Sequence, residues 1–187
     1  MKKSVVLLSS CILLIMMSAM VNATEKAPQK VVDLATSTLS SLGTDPVIVN
    51  AVKAENAKGK SLDEIKEMDE KWKGHAGIAD YMKAMMESEC GKKLRDVQGG
   101  ADYYAEIFVM DNQGANVAMT DKTSDYWQGD ESKFQESFKA GTGAIFIDDV
   151  EFDDSSQAYL VQVSVPVRDG NKVIGAITFG IDIDKIE

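Results

Sequence analysis

Tyr159-Leu-Val-Gln-Val-Ser-Val-Pro-Val167 alternates with a period of two, and Arg168-Asp169-Gly170-Asn171 hands it directly to Lys172-Val-Ile-Gly-Ala-Ile-Thr-Phe-Gly-Ile-Asp-Ile-Asp184. Asp-Gly between two alternating apolar runs is the chemistry of a tight β-hairpin turn. Successive side chains on a strand point to opposite faces. Tyr159, Val161, Val163 and Val165 therefore share one face, and Leu160, Gln162 and Ser164 the other. The partner run divides in the same way, with Val173, Gly175, Ile177, Phe179 and Ile181 opposed to Ile174, Ala176, Thr178, Gly180 and Asp182. One face is apolar and suits a cover of helices. The other is mainly small and polar, and beside a loop carrying Tyr126 and Trp127 it offers Gln162, Ser164, Thr178 and Asp182 as a pocket wall; plain exposure of that face to solvent is the competing reading.

Upstream, residues 143–152 form a third strand-like run, and 106–110 pairs with 115–120 across the turn Asp111-Asn-Gln-Gly114. A polar loop over 121–128 leads to a short helix expected at 131–140. The first half is helical in pattern. One helix spans 30–42, and Gly43-Thr-Asp-Pro46 interrupts it and caps a second that runs to 57. Ser61-Leu-Asp-Glu64 is a capping box opening a third helix that ends near Trp72. A fourth is predicted over 78–97, with Met82, Met85, Met86, Cys90 and Leu94 as core filling. Helices followed by hairpin-connected strands make an α+β domain on an antiparallel sheet. Residues 24–104 supply the helices and 105–187 the sheet of the same domain.

The N-terminus reads as a secretory signal peptide over 1–23: Lys2 and Lys3, an apolar run, then Val21-Asn-Ala23. Secretion to the periplasm is the expectation. Lipidation at Cys11, within Leu8-Ser-Ser-Cys11, and an uncleaved anchor are the alternatives; the apolar run continuing past Cys11 argues against the first, and its shortness for a spanning helix of about 20 apolar residues against the second. Cleavage after Ala23 leaves 18 basic against 30 acidic side chains, a formal charge of −12, which excludes nucleic acid as a natural partner. Cys90 is then the one remaining cysteine. It is read as a buried small apolar residue, with an interchain bridge as the alternative.

Catalytic chemistry is poorly supplied, and no enzymatic activity is expected. His75 is the single histidine, in a Gly-His-Ala-Gly turn, and no phosphate loop, Gly-x-Ser-x-Gly elbow or haem-attachment motif occurs. The acidic run Asp148-Asp-Val-Glu-Phe-Asp-Asp154 lacks the spacing of a calcium loop and reads as solvated strand-end charge. No metal or cofactor is called for.

The stretches Ile107-Phe-Val-Met-Asp-Asn-Gln-Gly114, Thr123-Ser-Asp-Tyr-Trp-Gln-Gly-Asp130 with Phe134, Val163-Ser-Val-Pro-Val-Arg-Asp-Gly170 and Val173-Ile-Gly-Ala-Ile-Thr-Phe-Gly-Ile-Asp-Ile183, in this order and spacing, resemble the extracytoplasmic Cache domains, PAS-like sensor modules of chemoreceptors and sensor kinases. The resemblance covers roughly the C-terminal half. It implies a five-stranded antiparallel sheet with a long N-terminal helix on one face and a ligand pocket on the other, closed by the loop and short helix after the second strand. Amino-acid-binding members carry an arginine on that helix; here it reads Gly129-Asp-Glu-Ser-Lys-Phe134, without arginine, and Lys133 is the cation at hand. The implied ligand is a small metabolite, either a carboxylate held by Lys133 or an amine held by Asp148 and Asp182. The implied site comprises Tyr126, Trp127, Lys133, Phe146, Asp148, Gln162, Ser164, Thr178 and Asp182. A membrane-bound sensor kinase or chemoreceptor is the expected partner, and a homodimer is compatible. Such domains usually continue into a transmembrane helix, and only three residues follow Asp184, so a stand-alone secreted form is expected. The alternative is a ligand-free accessory protein built on the same scaffold.

Overall fold

The computed structural model describes residues 25–154 and 156–186; the expected signal segment and Cys11 lie outside them. α1 (Gln29–Leu34) passes into a π-helical stretch, Ala35–Leu39, and a last turn, α2 (Ser40–Leu42). The hydroxyls of this serine- and threonine-rich segment turn back on their own helix. Ser37 Oγ donates to the Asp33 carbonyl at 2.6 Å, Ser40 Oγ to that of Thr36 and Ser41 Oγ to that of Thr38. Such bonds compete with the main-chain ladder and accompany widened turns. Val31, Ala35 and Leu39 nevertheless stay buried along one side.

α3 (Pro46–Asn56) starts as its cap requires, with Asp45 Oδ1 accepting from the Val47 N–H at 2.9 Å and Pro46 in the first turn. α4 (Leu62–Lys73) opens on the Ser61/Glu64 capping box.

The single helix expected over 78–97 is two helices. α5 (Asp80–Glu87) and α6 (Glu89–Gln98) meet at Ser88, whose ψ of 164° is not helical. Ser88 Oγ accepts from the Gly91 N–H at 2.9 Å and donates to the Met85 carbonyl at 2.8 Å. Gly91 makes the sharp turn passable, since a Cβ there would lie 2.3 and 2.4 Å from the Met86 and Met85 carbonyl oxygens. Serine caps helices better than it continues them, and apolar spacing does not distinguish the two roles.

β1 (Tyr104–Met110), β2 (Asn116–Met119), β3 (Phe146–Asp153), β4 (Ala158–Asp169) and β5 (Lys172–Asp182) form one sheet in the order β2-β1-β5-β4-β3. Every neighbouring pair is antiparallel. This is the α+β architecture, a five-stranded antiparallel sheet with an N-terminal helical layer, that the resemblance to Cache domains implies. The β4–β5 hairpin closes at Asp169 and Lys172, and Gly170 takes the left-handed φ of 59° that a tight turn demands. β3 begins at Phe146 rather than at Gly143. The Gly143 and Ala144 N–H groups instead donate back to the Phe138 and Ser137 carbonyls of the preceding helix.

The apolar face carries the main core. Val161, Val163 and Val165 of β4, Ile177, Phe179 and Ile181 of β5, and Ile107 and Val109 of β1 pack under Val31, Ala35, Leu39, Ile48, Val52 and Leu94. Each such side chain contributes about 1.5–3 kcal/mol on full burial. Cys90 belongs to the same core, 3% exposed, and burial pushes its thiol up to about 12. It packs there as a small apolar side chain.

Candidate ligand-binding site

The second face is bounded by the segment 111–131 and by α7 (Ser132–Phe138), and α4 fixes that segment in place. The buried Asp69 carboxylate of α4 accepts from the backbone N–H groups of Tyr126 and Trp127 at 2.8 and 3.0 Å. Lys73 bridges Asp69 and Asp125 at 2.7 and 2.9 Å, and these bonds hold its ammonium above the usual range. Trp72 Nε1 donates to the Thr123 carbonyl at 2.8 Å, and Asn116 Nδ2 to Thr123 Oγ1 at 2.7 Å. The segment is thus a wall tied to a helix.

α7 lies across β3, β4 and β5. Its Phe134 and Phe138, one turn apart, stack at 5.2 Å, and Phe134 joins Phe108 and Ala176 in a second apolar cluster with Tyr126, Trp72 and Met82. Between α7, the loop and the sheet is a cavity of about 410 Å³, lined by Glu106, Phe108, Lys122, Thr123, Gln128, Lys133 and Gln162, with Asp153 and Asp154 among its other lining residues. Lys133 and Gln162 also line a second space of about 420 Å³, with Asp130, Glu131, Asp148, Asp149 and Glu151.

Glu106 and Gln162 meet because Gly180 lies between them. Both pair with Gly180 across the sheet, one from β1 and one from β4. A Cβ at Gly180 would lie 2.8 Å from Glu106 Cγ, so a missing side chain opens the space in which the carboxylate accepts from Gln162 Nε2 at 3.0 Å. Burial pushes the Glu106 carboxyl up; the Gln162 bond and the Lys133 charge oppose it, and Asp153 and Asp121 add to it. Lys133 pairs with Glu131 at 2.9 Å and stands 5.5 Å from the centre of the Phe108 ring. Gln128, 1% exposed, donates through Nε2 to the Asp125 carbonyl at 2.9 Å. The Oε1 atoms of Gln128 and Gln162 are buried with no hydrogen-bond partner. Native interiors leave few such atoms unpaired.

Of the residues expected from the sequence, Lys133, Asp148 and Gln162 line these two spaces. The others lie elsewhere. Tyr126 is buried on Trp72, its hydroxyl accepting from Lys60 Nζ at 2.9 Å. Trp127 points its Nε1 at the Gln113 carbonyl, 2.8 Å away, with Lys66 over its ring. Ser164 and Thr178 are fully buried and bonded to each other at 2.7 Å. Phe146 pairs with Ser164 at the start of β3. Asp182 accepts from the Asp184 N–H at 3.1 Å and pairs with Lys185 at 2.7 Å. Glu106, Phe108 and Gln128 were not anticipated. The alternation of β1 could have found Glu106 and Phe108, since it puts them on one face of an otherwise apolar strand. No pattern marks Gln128, whose place depends on the path of the loop. His75 is exposed, and among the described residues no group of three histidine, cysteine or carboxylate side chains is placed to hold a metal ion.

No family model matches the chain, and no curated protein matches it. Solved structures similar to it include the ligand-binding domain of the Campylobacter jejuni chemoreceptor Tlp3 in complex with 4-methylisoleucine, 14% identical over 85% of this chain and 62% of that one, TM-score 0.43. The sensor domain of the V. cholerae histidine kinase DctB is 14% identical over 74% of this chain and 55% of that one, TM-score 0.37. The ligand-binding domain of the Pseudomonas aeruginosa PAO1 chemoreceptor PctC, in complex with GABA, is 10% identical over 79% and 60%, TM-score 0.43. This chain spans less than two thirds of the length of each of the three.

Proposed function

We propose that this chain is an exported, non-enzymatic sensor module that binds a small molecule in the cavity over the second sheet face and reports its state to a membrane-bound partner, a sensor kinase or chemoreceptor. The observation that carries the reading is the lining of that cavity. Glu106, Gln128 and Gln162 line a space of about 410 Å³, the two amides each holding a buried, unpartnered oxygen, on a sheet whose other face is closed by apolar packing. A space of this size and mixed lining suits a small polar molecule. The route outward runs through the loop. A ligand touching Thr123 or Gln128 bears on Trp72 and Asp69, and so on α4. A ligand that binds one loop position better than another shifts the α4 population accordingly.

Thermal-shift screening of the secreted form against small polar metabolites tests this. A ligand at 100 times its Kd adds about 2.7 kcal/mol of stability, read as a rise in melting temperature of several degrees. Uniformly flat melting across carboxylates, amines, amino acids and sugars contradicts it. Crosslinking in the producing cell should then recover a membrane receptor in a ligand-dependent manner. Recovery that is independent of every ligand points to the accessory-protein alternative.

A further inference from the structure

We propose that the group the cavity takes is a small organic cation bearing N–H donors, an amine or guanidinium, with its charge against Glu106 and its N–H groups on Gln128 Oε1 and Gln162 Oε1. The inference rests on the sensor reading above and adds the sign of the ligand.

Each donor group on this side of the sheet already has a partner, with further N–H groups left on the amides and ammoniums. Gln128 Nε2 donates to the Asp125 carbonyl and Gln162 Nε2 to Glu106. Lys133 is paired with Glu131, and Lys122 Nζ donates to the His75 carbonyl at 2.7 Å. A carbonyl oxygen only accepts, so the Gln128 amide cannot be reversed without losing its bond. The lining atoms left with no partner at all are acceptors. Both Oε1 atoms are buried and unpaired. Among the described residues Glu106 has no cation within ion-pairing distance, and its one hydrogen bond comes from Gln162. Asp153 and Asp154 add acidic side chains to the lining. An anion entering here would leave both Oε1 atoms without a donor, whereas an ammonium or guanidinium brings donors and a charge together.

Burial favours the protonated Glu106 carboxyl in the empty cavity, and an incoming cation favours the carboxylate. The charged groups that influence Glu106 are Lys133 of α7, Asp153 of β3 and Asp121 of the loop, with Lys122 also in the lining. Cation binding therefore releases a proton over the range in which Glu106 titrates, and affinity rises with pH through that range.

Calorimetric titration of the secreted form with putrescine, agmatine and ethanolamine, beside 1,4-butanediol and succinate, tests the proposal. The expected result is binding by at least one cation, none by the diol or succinate, and at least a tenfold loss in Glu106→Gln, with Gln128→Leu weakening the same ligand. Circular dichroism and melting confirm that the variants are folded, and the wild-type affinity falls as pH is lowered. Binding of succinate in preference to every cation overturns the sign of the ligand and leaves the sensor reading standing. Cation binding that survives Glu106→Gln and vanishes in salt also overturns it, as a general attraction to an acidic protein. Silence from all three cations overturns it too, and only silence from the broad metabolite panel overturns the sensor reading with it.

Discussion

The two faces of this sheet are built from alternate residues of the same strands, yet one is packed with apolar side chains and the other shares its apolar packing with a polar cavity. On the first, Val161, Val163, Ile177 and Phe179 meet helices with complementary apolar faces. On the second, Glu106, Gln162 and Gly180 stand in adjacent strands at one level of the sheet. Phe134 and Phe138 of α7 share that side with a polar cavity, and Ser164 and Thr178 are buried and bonded to each other there. The difference teaches that strand alternation assigns faces but not occupancy. Occupancy depends on what the helices and loops bring to the face.

Substitutions at adjacent residues of β5 break the comparison most directly. Phe179→Ala, on the first face, should lose about 3–5 kcal/mol in chemical denaturation. Thr178→Val, one residue away on the other face, leaves the Ser164 hydroxyl unpaired and should lose about 1 kcal/mol. Equal losses would mean that both faces are packed alike. Asp69→Ala should cost about 1–3 kcal/mol for each buried N–H it leaves without an acceptor, and hydrogen exchange should quicken at Tyr126 and Trp127 while the β4–β5 amides keep their protection. Gly180→Ala should cost about 1–3 kcal/mol through crowding against Glu106 and weaken any ligand of the cavity at least tenfold.

The pH dependence sharpens the same contrast. The folded carboxyl of Glu106 titrates above its ordinary value of 4.5 because burial disfavours its charge. In the range just above that value the native chain holds a proton that the unfolded chain has lost. The stability linked to Glu106 is therefore full below 4.5 and is lost as pH rises through the raised folded value. Glu106→Gln should flatten this part of the stability profile. The smallest effect belongs to the surface. Lys71→Ala removes an exposed pair with Glu67 at 2.7 Å and should change stability by no more than about 0.5 kcal/mol.

The closing hairpin was legible because alternation and a two-residue turn make the two strands partners, but a register shift between Val167 and Arg168, opposite Val173 and Gly175, sets the pairs Ser164–Thr178 and Val163–Phe179 and puts Ile174 rather than Val173 in the main core. The caps at Asp45 and Ser61 were legible for the same local reason. Ser88 was not, because the break it makes depends on Gly91 approaching the Met85 and Met86 carbonyls, a contact formed only once the two helices meet. The site was legible only in part. Gln162 and Lys133 follow from strand phase and helix position, while Asp148 lines only the neighbouring space. Tyr126 and Trp127 are drawn toward α4 and the chain before it by Asp69 and Lys60, partners 57 to 66 residues away in sequence. Local reading has no access to such partners.

The central claim is that the ligand occupies the space beside Gly180 between β1 and β4. It is tested most directly by mapping backbone amide shifts by NMR as the strongest-binding amine is titrated into the protein. The account predicts that the shifts concentrate at Glu106, Thr123, Gln128 and Gln162, with a weaker relay into α4. Shifts centred instead on the groove of about 620 Å³ lined by Val47, Ala51, Met85 and Glu89, with Glu106 and Gln162 unmoved, would contradict it.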